Sequence, residues 1–163
     1  MSAPLQDFEI AIHIGAPAWQ KALHDIDSLC AKAVTVAQSQ TLLRPFAEIS
    51  IALLSDKDVQ SLNEKYRNKN KPTNVLSFPG TTMDGFTPLL GDIVLGYTTV
   101  SAEAKARRIP LRDHVTHLLI HGFYHLQGYN HESNVEAKIM EALEIKALNA
   151  LGISNPYAKE ILL

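Results

Sequence analysis

The sequence predicts an α+β fold, one small sheet of about four strands packed with about five helices. Two observations carry this. Segments with strand patterning all fall before residue 98, and three long helical segments fill most of the chain beyond it. Turn-forming proline and glycine residues separate these segments, with no linker, repeat or low-complexity tract, so residues 1–163 read as a single domain.

Phe8 to Ile14 alternates apolar and other residues with period two, as a half-buried strand does. Trp19 to Gln38 has helical spacing at Leu23, Ile26, Leu29, Ala33 and Val36, and predicts one helix. Phe46 to Leu54 predicts a second strand. Ser55 with Asp58 three residues on predicts an N-cap, opening a helix that carries Val59, Leu62 and Tyr66 inward. Pro72 breaks that helix, because proline disfavours the α region for the residue before it. Val75 to Phe78 predicts a short strand stopped by Pro79-Gly80, Thr81 to Leu90 a surface loop, and Asp92 to Tyr97 a fourth strand. Helices are expected near 98–108, 112–127 and 133–151, punctuated by Pro110, Gly128 and Gly152.

Composition excludes several classes. With 46% apolar and 20% charged residues the chain is neither disordered nor fibrous. Cys30 is the only cysteine, so no internal disulfide and no all-cysteine metal site can form. No apolar run approaches the roughly 18 residues of a spanning helix, and Met1 to Asp7 lacks the basic and apolar regions of a secretory leader. A soluble cytoplasmic protein is expected, with no membrane partner. Lys+Arg number 15 against Asp+Glu 17, so any polyanion would be held by a local patch rather than by the whole surface.

Five of the seven histidines (His114, His117, His121, His125 and His131) fall between positions 114 and 131. On a helix, His121 and His125 project from one face with Cβ atoms about 5–6 Å apart. Gly128 can then turn the chain back and return His131 toward the pair. Chance would place two further histidines at such offsets in about 1% of cases. Three neutral nitrogens without a fourth protein ligand is the layout of a catalytic zinc site, with water at the vacant position. One Zn2+ per chain is the expected cofactor. His117, one turn before His121, is expected to support a ligand or pack rather than bind the ion, because it lies two turns from His125. His114 is expected at the solvent.

The spacing is zincin-like, similar to the extended metalloprotease signature, but that signature needs a glutamate directly after the first histidine as general base. Gly122 stands there, which argues against peptidase activity.

The run His121-Gly122-Phe123-Tyr124-His125-Leu126-Gln127-Gly128-Tyr129-Asn130-His131 resembles the signature of the bacterial YbeY family, metal-dependent endoribonucleases of ribosomal RNA maturation. Leu62 to Pro79, with Tyr66-Arg67 and Pro72-Thr73-Asn74-Val75-Leu76-Ser77-Phe78-Pro79, matches a second family block, and Leu90-Gly91-Asp92-Ile93 a third. The resemblance implies a mixed sheet and a metal-bearing helix. It implies a single-strand-specific endoribonuclease acting in 16S rRNA 3′-end maturation and ribosome quality control. Partners would be small-subunit ribosomal RNA and ribosome or assembly proteins, and not DNA. Asn70, Asn74 and Asn130 stand where the family usually has aspartate, and Asn130 is expected to support the neighbouring ligand His131.

Residues 65–71 supply Lys65, Arg67, Lys69 and Lys71 with no acid among them. The planar fork of Arg67 can hold two phosphate oxygens at once, which a lysine cannot, and the resemblance points to it as catalytic. Lys65, Lys69 and Lys71 are candidate RNA contacts, as are Lys105, Arg107 and Arg108 before the metal helix. Phe78 or Tyr129 could stack on a base. The competing reading is a ribosome assembly or binding factor whose zinc is mainly structural. It predicts a closed, four-ligand site.

Overall fold

Alternation along the strands decides which side chain enters which face of the sheet. The computed structural model describes residues 8–80 and 87–158. Among these residues, strands β1 (Glu9–Ile14), β2 (Phe46–Leu54), β3 (Val75–Pro79) and β4 (Thr87–Gly96) form one sheet in the order β1-β2-β4-β3. β1 and β4 run parallel to β2, and β3 pairs antiparallel with β4 at the sheet edge. Ile49, Ile51 and Leu53 of β2 and Ile93 and Leu95 of β4 enter the main core. Ala52, Leu54 and Val94 point the other way, into a smaller cluster.

Helices α2 (Ile26–Gln40), α5 (Leu111–Leu126) and α6 (Asn134–Ala150) close the main core. Helix α3 (Asp56–Arg67) supplies Val59 and Leu62 to the smaller one. Two short connections complete the described chain, α1 (Ala18–Ala22) and α4 (Tyr97–Arg107). The expected cap of α3 is present, Ser55 accepting from the Asp58 N–H at 3.2 Å. Asp56 also ties α3 to α4, its carboxylate accepting from the Thr99 N–H at 2.9 Å and hydroxyl at 2.6 Å. No helix among the described residues is long and apolar enough to cross a membrane.

Five expectations need correction. The helix predicted from Trp19 is two, which makes six helices among the described residues. Leu23 is extended, because Trp19 is fully buried with its indole N–H on the Leu54 carbonyl at 3.0 Å and Leu23 must itself turn inward. Residues 87–90 of the predicted loop are strand: Thr87 pairs opposite Phe46, Leu90 is buried, and Pro88 sits at the strand start, where a missing N–H is tolerated. The remainder of that loop, 81–86, lies outside the described residues. Helix α3 stops at Asn68, left-handed at φ 56°, before Pro72 is reached, and Tyr66 is 58% exposed instead of inward. His114 is 3% exposed, because α5 is buried around most of its circumference and its Nε2 meets Glu103 at 2.9 Å.

Candidate metal centre

One helical turn sets His121 and His125 on the same face of α5. The helix then ends in backbone bonds from Gly128 N–H to the His125 carbonyl and from Tyr129 N–H to the Tyr124 carbonyl, both 3.0 Å. Gly128 takes φ 103°, a left-handed value that returns the chain, and a Cβ there would stand 3.1 Å from the Arg44 guanidinium. His131 comes back to the pair. The Nε2 atom of His125 lies 3.1 Å from Nε2 of His121 and 3.3 Å from Nε2 of His131. All three ligand atoms fall within 4.8 Å of one another. Tetrahedral bonds of 2.0–2.1 Å separate two nitrogens by about 3.3 Å, so this donor set fits a zinc-sized ion.

Hydrogen bonds on the far side of each ring assign the tautomers. The His121 Nδ1–H donates to Oε2 of Glu144 at 3.0 Å, and the His125 Nδ1–H donates to the Tyr129 carbonyl at 3.1 Å. In the neutral form of each ring, Nε2 is then the bare lone pair. Burial, and then the neighbouring His121 and His131, hold the His125 pKa down to about 4, so that ring is neutral at neutral pH.

Glu144 was not anticipated from sequence. It is fully buried, and Oε1 accepts from His117 Nε2–H and the Tyr157 hydroxyl, both at 2.6 Å. Burial pushes its carboxyl up, but bonds from His117, His121 and Tyr157 outweigh that and bring it to about 2. His117 thus touches the carboxylate that holds a ligand, not the triad. One signal was available: Glu144 interrupts the buried stripe Met140, Ala147 and Leu148 of α6, and a charge on such a stripe needs partners.

Gly122 has a packing reason. A Cβ there would stand 3.0 Å from Ile93 Cγ2 and 3.2 Å from Ser77 Oγ, so α5 lies too close to the sheet for a glutamate.

The triad opens into a groove of about 480 Å3 that Asn63, Arg67, Lys69, Asn74 and Ser77 also line. Arg67 donates from Nη2 to the Ser77 carbonyl at 2.7 Å, and its guanidinium lies 5.4 Å from the centre of the Phe78 ring. Asn63 is buried and donates to the Lys71 carbonyl at 2.9 Å, folding the basic loop back onto α3. An adjoining groove shares Asn74, Val75 and His121 and reaches Arg107, His117 and Tyr157.

Lys65, Lys71 and Lys105 line neither groove, and Arg108 lies farther off beside Pro110 and Leu148. Lys65 stands over the Tyr66 ring at 5.0 Å. Asn130 accepts from the Glu132 N–H at 3.2 Å, shaping the turn that carries His131. Asn74 donates to both carboxylate oxygens of Glu103, at 3.1 and 3.3 Å, bonds that an aspartate could not donate. Phe78 packs against Tyr66 with ring centres 5.4 Å apart, and Tyr129 bonds Thr41 through its hydroxyl at 3.0 Å.

A family model described as Endoribonuclease YbeY matches residues 14–152. Proteins named Endoribonuclease YbeY from Methylocella silvestris and Paramagnetospirillum magneticum are 44% identical over 154 residues and 42% identical over 159. Each alignment covers 93% of this chain, with 87% and 97% of the respective relative. The solution structure of TM1509 from Thermotoga maritima shares the fold, with TM-score 0.54 at 22% identity, covering 92% of this chain and 99% of that one.

Proposed function

Because the chain belongs to the endoribonuclease YbeY family, we propose that it cleaves single-stranded RNA internally, with one zinc ion held by His121, His125 and His131. On this reading its substrate is small-subunit ribosomal RNA, cut during 16S 3′-end maturation and quality control, beside ribosome or assembly proteins in the cytoplasm. The observation that carries the reading is the convergence of three Nε2 atoms in a groove that Arg67 also lines.

Bound zinc supplies Lewis-acid polarisation of a phosphoryl oxygen and a lowered pKa for water. Glu144 and Tyr129 hold the ring hydrogens of His121 and His125 away from the ion. Arg67 commits one N–H to Ser77, and the rest of its fork stabilises the charge that builds on the phosphate. Lys69 adds positive charge in the same groove, and Lys65, Lys71, Arg107 and Arg108 extend the field along the RNA backbone. The exposed ring of Tyr66 offers an unpaired base a face to stack on, which duplex RNA cannot use.

Among the described residues no carboxylate lines the groove, and Glu144, fully buried under three donors, does not serve as general base. Product ends distinguish the attacking group: a 2′,3′-cyclic phosphate would exclude direct attack by water. A mainly structural zinc needs a fourth protein ligand; among the described residues the metal-holding group is His121, His125 and His131, and His117 gives its Nε2 to Glu144. The test is incubation of single-stranded RNA with wild type and His125→Ala, with and without chelator. Cleavage is expected only from metal-loaded wild type, and cleavage by the variant at the wild-type rate would overturn the proposal.

A further inference from the structure

The C-terminal turn Asn155-Pro156-Tyr157 is built with more bonds than docking a tail requires. Asn155 Oδ1 accepts the Tyr157 N–H at 2.8 Å, closing the turn. Arg107 Nη2 donates to the Pro156 carbonyl at 3.1 Å, clamping it from α4. Tyr157 then lies edge-on to His117, with ring centres 5.5 Å apart and planes at 89°, and its hydroxyl donates to Oε1 of Glu144 at 2.6 Å. The residue is 40% exposed overall. Apolar burial therefore does not account for a tyrosine here, since phenylalanine would fill the same space.

We infer that Tyr157 is a positioning residue of the metal centre, strapping Glu144 in the orientation that fixes the His121 ring. The inference rests on the zinc site of the proposed function. Two donors on Oε1, from α5 and from the C-terminal turn, hold the carboxylate against rotation about its last bond. That leaves Oε2 directed at the Nδ1–H of His121. A carboxylate so placed fixes the ligand's tautomer and raises its basicity, and losing such a partner typically weakens metal binding about 10–100-fold. Without the hydroxyl, His117 alone restrains Oε1, and the aim of Oε2 loosens. The metal centre is then completed by a residue 26 positions beyond its last ligand (157 − 131).

The experiment uses full-length wild type, Tyr157→Phe, Tyr157→Ala and His125→Ala. Zinc affinity is measured by competition with a chromophoric chelator, alongside thermal melting of the metal-free proteins and nitrogen-15 spectra of the imidazoles. Tyr157→Phe keeps the ring against His117 and removes only the hydroxyl. Its zinc affinity is expected to fall about 10-fold, its metal-free melting temperature to hold, and the His121 Nδ1–H resonance to shift. Tyr157→Ala is expected to lose affinity and melt earlier. Equal zinc affinity in Tyr157→Phe and wild type overturns the strap while leaving the triad intact. Equal binding by wild type and His125→Ala, or none by wild type, overturns the zinc site and the strap with it.

Discussion

His121 and His125 face each other Nε2 to Nε2 across 3.1 Å, with the Nδ1 hydrogen of each ring already given to another acceptor. Two lone pairs at that distance repel unless a cation sits between them. His125→Ala is therefore expected to abolish stoichiometric zinc and to lower the melting temperature of protein purified with its metal. Zinc content by mass spectrometry checks the first outcome, and full occupancy in the variant would remove His125 from the site.

Acid is expected to destabilise the metal-free protein in a defined window. The folded chain holds His125 at about 4, against 6.5 for the free side chain, so between these values the unfolded chain binds more protons. Stability is present above 6.5 and is lost as pH falls toward 4. Glu144 acts in the same direction lower down, its contribution present above 4.5 and lost as pH falls toward 2. The urea midpoint of metal-free protein should decline steadily from about pH 7 to about 4; a flat profile would contradict a neutral His125.

Arg67 bonds the Ser77 carbonyl rather than any ring of the triad, so Arg67→Ala is expected to keep its zinc. Cleavage of single-stranded RNA should fall about 100-fold, the usual effect of losing one donor to a developing charge. Arg67→Lys should restore only part, because an ammonium cannot make the paired contact. Undiminished cleavage in the alanine variant would take the arginine out of the mechanism.

Gly122→Ala is expected to destabilise the protein by about 1–3 kcal/mol, since the added methyl meets Ile93 at 3.0 Å where helix and sheet pack. Denaturant midpoints measure this. A variant as stable as wild type would show that α5 can move off the sheet at little cost.

Tyr66→Ala should weaken binding of an unpaired RNA oligonucleotide about 5–100-fold, with Tyr66→Phe near wild type, because stacking needs the ring and not the hydroxyl. Binding is best measured in the His125→Ala background so that the RNA survives. Equal affinities across the three proteins would leave Tyr66 without a role in RNA binding.

Some elements were readable because their signals are local. The cap of α3 needs only Ser55 and Asp58, and the triad needs only one helical turn and one glycine return. Breaks set by distant partners were not readable. Trp19 is anchored on Leu54, 35 residues away, and this helps end α1 where apolar spacing runs on. Thr87 extends a strand because Phe46 lies opposite, although Pro88 reads as a breaker. Tyr66 stays outside because Val59 and Leu62 already fill the small cluster.

The amino-acid order alone determined the α+β class, the family and the three converging histidines, since ligands four and six residues apart are joined by backbone geometry. Only the tertiary structure decided what surrounds them. Glu144 reaches His121 from α6, Tyr157 reaches Glu144 from the C-terminal turn, and Arg67 enters the groove through its bond to Ser77 of β3. Those relationships depend on how helices and sheet close on one another, and burial, not sequence spacing, sets which polar groups must find each other.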